Sequence, residues 1–281
     1  MAVVGYTSGY VPVELIEAAG HEAKFVRPSM AGGAECLRLR EGMCPYAAGT
    51  VASLLGRDDL DAFVGAGTCD QVRRCFEAMR DEFGGEMFVL NVPVTRGTAS
   101  QGMFGAEVER LERFLKELKD STNDDEVLED GRDEQRTRFE DGSGELVLGV
   151  IGAPIAAEGL MLGEIAGARL VDMMGPVRLG EFGGCESDMD GLVRKYFVEV
   201  LDIRQRSNAG WYEWLREWSG SGAVDGLILH RYTWCDLWHG ELGRIKEAAG
   251  VAVIDLEINE AGSYASANTV TRLNAFGEML S

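Results

Sequence analysis

The 281-residue sequence contains no run of 18 consecutive apolar residues, and its opening, MAVVGYTSGY, lacks the basic start and long apolar core of an export signal. A membrane-spanning helix is therefore not expected, and a cytoplasmic location is. Basic residues are in short supply, with 27 Lys and Arg against 47 Asp and Glu and a formal net charge of -20. That balance argues against binding along a nucleic-acid backbone or on an anionic membrane surface. Neither a Walker A sequence nor a GxGxxG fingerprint is present, which speaks against ATP hydrolysis and against a nicotinamide bound in the usual way. The only histidines are His21, His230 and His239, and no two are spaced i, i+4 as a helical metal-binding pair would be. Six cysteines in a chain this long do not make a disulfide scaffold, so reduced thiols or a metal centre fit better.

What the chain does have is 46% hydrophobic residues and 37 glycines, a composition suited to an α/β protein with many tight turns. Two stretches share one layout. In LDAFVGAGTCD (Leu60 to Asp70) and VDGLILHRYTWCD (Val224 to Asp236), an acidic residue and a short apolar run read as a buried parallel strand, and a brief loop then delivers Cys-Asp. A thiol just beyond the carboxyl end of such a strand lies at the rim where open α/β sheets hold ligands.

The repetition extends further. Each half begins with a strand leading through a proline loop into a short helix that ends near a glycine, AAG in the first and IAG in the second. The pattern V-x-R-L-x-x-F occurs as Val108, Arg110, Leu111 and Phe114, and again as Val270, Arg272, Leu273 and Phe276. It starts 39 residues after Cys69 and 35 after Cys235. Between the halves, residues 119–145 carry many charges, few large apolar residues and no steady period, which predicts an acidic linker or solvated excursion. The expected organisation is a first Rossmann-like lobe over 1–118, the linker over 119–145, and a second Rossmann-like lobe over 146–281. Two small parallel sheets then face a central crevice. A helix is expected from Glu107 to Leu118. In the segment between the repeats Tyr212, Trp214 and Trp218 cluster, foremost as packing, with a purine-stacking or acyl-binding wall as the alternative.

Cys69 and Cys235 hold matching places at strand ends, and Cys44, kept out of the α region by Pro45, sits in a loop or just before a helix. Three thiolates are one short of a closed tetrahedral site and leave a position open. Inert, buried cysteines are the other reading of the same spacing. Cys36, Cys75 and Cys185 have weaker cases. His230, at the end of the strand before Cys235, is a weak candidate for a proton donor. Arg38, Arg40, Arg73 and Arg74 form a local positive exception that suits either the phosphates of an anionic ligand or a solvated charge cluster.

Taken together, VPVELIEAAGHEAKFV, MCPY around Cys44, GTCDQVRRC around Cys69, LNVP, VDGLILHRYTWCD and NTVTRLNAF resemble the 2-hydroxyacyl-CoA dehydratase and benzoyl-CoA reductase family, most nearly its smaller subunit. The likeness covers both lobes in order, with an acidic stretch where the family has a longer helical middle region. It implies that Cys44, Cys69 and Cys235 ligate a [4Fe-4S] cluster with one open iron in the crevice. It further implies a second homologous subunit, a separate ATP-dependent iron-sulfur activator, and one-electron chemistry on an acyl-CoA thioester. Loop amides near Gly67, Thr68 and Trp234 are expected to tune the cluster. Three functions fit: such a catalytic subunit, a non-catalytic iron-sulfur electron-transfer or accessory component, or a metal-free two-lobed binding or assembly protein.

Overall fold

A computed structural model describes residues 1–31, 42–118, 146–173 and 188–281. Residues 119–145, Cys36, Arg38, Arg40 and Cys185 lie outside the described residues. The described residues form two four-stranded sheets, and all strand pairings within them are parallel. The first comprises β1 (Val3–Tyr6), β2 (Glu22–Phe25), β3 (Ala62–Gly67) and β4 (Glu86–Asn91) in the order β2-β1-β3-β4. The second comprises β5 (Val147–Gly152), β6 (Arg169–Asp172), β7 (Gly226–Tyr232) and β8 (Ala252–Ile258) in the order β6-β5-β7-β8. The two orders are equivalent. In each sheet the direction of winding reverses between the first and third strands, and the crevice at the carboxyl ends of those strands is where such sheets hold ligands.

The repeated acids and arginines of the sequence have a backbone role in both sheets. Asp61, just before β3, accepts the Val3 amide at 2.7 Å, and Asp225, just before β7, accepts the Val147 amide at 2.7 Å. Each carboxylate thereby fixes the start of the neighbouring central strand. Arg110 donates to the Val89 carbonyl at 2.7 Å and Arg272 to the Asp255 carbonyl at 2.6 Å, so both motif arginines occupy backbone acceptors of the outer strands β4 and β8.

Parallel sheets need both faces covered, and side-chain alternation sorts the faces here. On β3, Ala62, Val64 and Ala66 meet α1 (Val13–Ala18) and α4 (Thr98–Glu117), while Phe63 points to α2 (Pro45–Leu54) and α3 (Asp70–Met79). Burying Phe63 or Val64 in this way contributes roughly 1.5–3 kcal/mol each. Helix α3 supplies Cys75, Phe76 and Met79 to the same layer. That layer runs on without a break through Leu148, Val150 and Ile228 to Tyr264, Leu273 and Phe276, so one core joins the lobes. Behind the second sheet, α7 (Ala209–Gly220) and α8 (Asp236–Ala248) cover Ile151, Leu227 and Leu229. Among the described residues the other α-helices are α5 (Leu162–Ala166), α6 (Met189–Val193) and α9 (Ala267–Leu280).

Two features depart from the expected outline. Helix α4 begins at Thr98, well before Glu107, and runs through Gly102 and Gly105. At Gly105 a Cβ would lie 3.5 Å from Val193 of α6, an ordinary contact distance, so the helix passes close to α6 without needing a glycine there. The second departure is that residues 189–200, which follow β6, pack on the first sheet. Leu192, Tyr196, Phe197 and Val200 join its core, and Phe197 stacks on Phe104 with ring centroids 5.1 Å apart. The chain then pairs Arg206 with Thr95 and returns to the second lobe at α7.

Candidate functional site: three cysteine-capped helices

Cys44, Cys69 and Cys235 each occupy the N-cap of a helix, α2, α3 and α8 respectively. The local causes are readable in the sequence. Pro45 suits the first helical position because its φ is already set and the amide it lacks would have had no partner. Asp70 and Asp236 place a negative charge in the first turn, where the helix dipole favours it. The repeated Cys-Asp is thus a helix start at the carboxyl end of the third strand of each sheet, with the thiol turned toward unpaired first-turn amides.

At Cys69 the sulfur accepts the Val72 amide at 3.4 Å. At Cys44 and Cys235 the amides in the same position, Ala47 and Trp238, favour the thiolate without closing to a capping hydrogen bond. Burial works against them. It pushes the Cys44 thiol up to about 12; the Ala47 and Tyr46 amides oppose that rise, and the nearby Cys235 and Cys69 sulfurs add to it. The Cys235 thiol is also raised, first by burial and further by Cys69 and Asp236, against the pull of the Trp238 amide and Arg231. Cys44, Cys69 and Cys235 thus each feel at least one of the other two sulfurs, and Cys69 acts on Cys75 as well. The three range from buried Cys44 through half-buried Cys235 to exposed Cys69. Cys75 faces the core instead, where burial lifts its thiol to about 11 and its sulfur meets that of Met43 at 3.4 Å.

One amide connects all three segments. Gln71, two residues after Cys69, accepts the backbone N–H of Cys44 through Oε1 and donates through Nε2 to the Trp234 carbonyl at 3.0 Å. Trp234 precedes Cys235, has a left-handed φ of 68° and is 56% exposed. On the far side of the Cys69 loop, Arg204 donates to the Thr68 carbonyl at 2.8 Å. Arg204 is held by Asp202 with contacts of 2.5–3.1 Å and lies over the Tyr10 ring, whose hydroxyl donates to Asp202 at 2.8 Å. The Thr68 amide itself is used locally, donating to Ala66 at 2.8 Å, so it is not available to tune a bound group. A further inter-lobe tie is Glu158, which accepts from the Ser29 hydroxyl at 2.6 Å and from the amides of Met30 and Ala31 at 3.0 and 3.1 Å.

His230 lies at the end of β7 but is fully buried. Its Nδ1 donates to the Ala153 carbonyl at 2.8 Å, which makes Nε2 the acceptor for the Tyr264 hydroxyl at 2.9 Å. Tyr264 and Tyr232 hydroxyls are 3.1 Å apart, and the Tyr232 ring meets that of Tyr46, two residues after Cys44. Both ring nitrogens of His230 are thus engaged inside the protein. Burial also drives its pKa down to about 4, so the imidazole is neutral near pH 7. Arg73 and Arg74 are exposed on α3, and Arg73 pairs with Glu77 at 3.1 Å. Trp211 and Tyr212 are on the buried face of α7 and Trp214 stacks on Trp218, an arrangement of packing.

Among the described residues there is no group of three or more His, Cys, Asp or Glu side chains gathered closely enough to hold a metal ion. Cys44, Cys69 and Cys235, each at a helix N-cap with a first-turn amide toward its sulfur, are thiol donors of the type that iron-sulfur clusters take. Gln71, Arg204 and Asp202 escaped the sequence reading. The one available signal was an asymmetry between the repeats, since Cys69-Asp70 is followed by Gln71 while Cys235-Asp236 is followed by apolar Leu237.

Among the described residues no helix is long and apolar enough to cross a membrane. Comparison with curated proteins gives no match. Among solved structures 6 chains match. One of them, a crystal structure of a mutation variant of SsGBP, is 12% identical over 99% of this chain and 99% of that chain, with a TM-score of 0.25. A superposition that loose carries no argument about this protein. The model of the family described as 2-hydroxyglutaryl-CoA dehydratase, D-component, matches residues 8–138 and 152–280, spans that include Cys44, Cys69 and Cys235. With almost the whole sequence matched, the chain belongs to the 2-hydroxyglutaryl-CoA dehydratase D-component family.

Proposed function

We propose that the protein is the cluster-bearing subunit of a 2-hydroxyacyl-CoA dehydratase or benzoyl-CoA reductase-like enzyme, with Cys44, Cys69 and Cys235 holding a [4Fe-4S] cluster. The observation that carries the reading is the three-helix arrangement, in which each of these cysteines caps a separate helix and Gln71 links their segments. Bound there, such a cluster supplies a low-potential electron and, with three protein thiolates, one iron without a protein ligand. The chain's own part is to hold and shield. Buried Cys44, with buried Tyr232 and Tyr264 and partly buried Tyr46 packed near it, keeps water from one side of the site, and Cys69 is exposed on the other. First-turn amides at Val72, Ala47 and Trp238 favour negative charge on sulfur. The family implies an acyl-CoA thioester as substrate, a second homologous subunit and an ATP-dependent iron-sulfur activator. His230 has no direct role here, because both of its ring nitrogens are occupied within the protein.

The test is iron and sulfide content with low-temperature EPR on anaerobically purified protein, comparing wild type with Cys44→Ser, Cys69→Ser, Cys235→Ser and Cys75→Ser. The expected result is a cluster in wild type that is lost in the first three variants and kept in Cys75→Ser. Iron-free wild type under these conditions would refute the proposal.

A further inference from the structure

We infer that Gln71 is a positioning residue that sets how the Cys44 and Cys235 segments are held against Cys69. This rests on the proposed function for its consequence at a cluster, although the geometry behind it does not. Gln71 is in the first turn of α3, so its backbone moves with Cys69. Its side chain uses both ends of the amide: Oε1 takes the Cys44 amide from the first lobe and Nε2 reaches the Trp234 carbonyl in the second. A single planar group therefore fixes two separations at once. No residue with only donors or only acceptors can satisfy both partners.

Trp234 gives the second, independent observation. A left-handed backbone is costly for a bulky residue and persists where its surroundings impose it. The Trp234 amide carbon and oxygen orient the next residue, Cys235, and the bond from Gln71 engages that oxygen from the other half of the chain. The second lobe has no counterpart, since Leu237 stands where the repeat would place a glutamine. The clasp thus operates in one direction, from the Cys69 helix to the other two thiols. Arg204 on the Thr68 carbonyl fixes the base from which Gln71 reaches.

The two ends of the amide are separable by substitution. Gln71→Leu removes both bonds. Gln71→Glu keeps an acceptor for the Cys44 amide but faces the Trp234 carbonyl with a second acceptor. The measurement is the rate of alkylation of each cysteine by iodoacetamide, resolved by peptide mass spectrometry, on the full chain after iron removal and under anaerobic conditions. Gln71→Leu is expected to speed modification of both Cys44 and Cys235 about tenfold, the change in local opening that loss of one net hydrogen bond produces. Gln71→Glu is expected to speed Cys235 alone. Cys75, outside the clasp, serves as the internal reference for general loosening and is expected to keep its wild-type rate in both. Wild-type rates at Cys44 and Cys235 in both variants would overturn the inference, as would equal acceleration of Cys75. EPR of the anaerobic protein is read in parallel. An altered cluster signal in Gln71→Leu extends the inference to the cluster. Selective acceleration in a chain that never binds iron would leave the clasp standing and remove the proposed function.

Discussion

His230 offers a direct test of how the second sheet is built. The ring is fully buried between Ala153, Tyr232 and Tyr264, with both nitrogens hydrogen-bonded and burial holding its pKa near 4, against an ordinary value of 6.5. Below the ordinary value the unfolded chain takes up a proton that the folded chain refuses, so stability falls as pH falls from about 6.5 to about 4. The loss is about 1.4 kcal/mol per pH unit, or roughly 3 kcal/mol over the window. Above about pH 7 both states carry neutral imidazole and the slope vanishes. The assay is urea unfolding across this range for wild type and His230→Gln, which keeps a donor and an acceptor but does not titrate. Carboxylates contribute acid lability to both proteins equally, so the difference between the curves isolates His230. The expected difference grows by about 2–3 kcal/mol between about pH 7 and about pH 4.5. Parallel curves would refute the reasoning, and with it the neutral, fully bonded imidazole on which His230's exclusion from direct chemistry depends.

Gly152 closes β5 with φ of +122°, and a Cβ there would come within 1.9 Å of the His230 carbonyl oxygen. Gly152→Ala should therefore cost more than about 3 kcal/mol, seen as loss of soluble folded protein or a sharply lowered urea midpoint. The Asp202 and Arg204 pair is largely buried, so removing either partner in Asp202→Asn or Arg204→Met should cost about 3–5 kcal/mol. The double variant should cost clearly less than the sum of the two, measured by a double-mutant cycle. Tyr10→Phe, which removes one hydroxyl bonded to Asp202, should cost about 1–3 kcal/mol in the same assay, and a larger loss would mean that Tyr10 acts through more than that bond.

Local chemistry determined much of the fold. The apolar run of β3, the proline that opens α2, the Cys-Asp helix starts and the repeated V-x-R-L pattern all act through near neighbours or through backbone groups whose positions follow from regular parallel sheets. For that reason the two-lobed α/β architecture, and the placing of Cys69 and Cys235 at corresponding strand ends, were legible in the residues themselves. Contacts between segments distant in sequence were not. Residues 189–200 have a helical pattern whichever lobe they cover, and only the fit of Tyr196 and Phe197 against Phe104 and Val108 assigns them to the first. Gln71 reads as an ordinary helix-surface residue until Cys44 and Trp234 arrive at the two ends of its amide. His230 sits at a strand end suited to chemistry, yet tertiary packing gave both of its nitrogens internal partners. The sequence by itself determined which elements form and which thiols stand at their ends, because those follow from periodicity and helix-start chemistry. Only the tertiary structure decided which polar groups are free to face the crevice, because hydrogen-bond partners and desolvation are supplied by residues that spacing along the chain does not bring together.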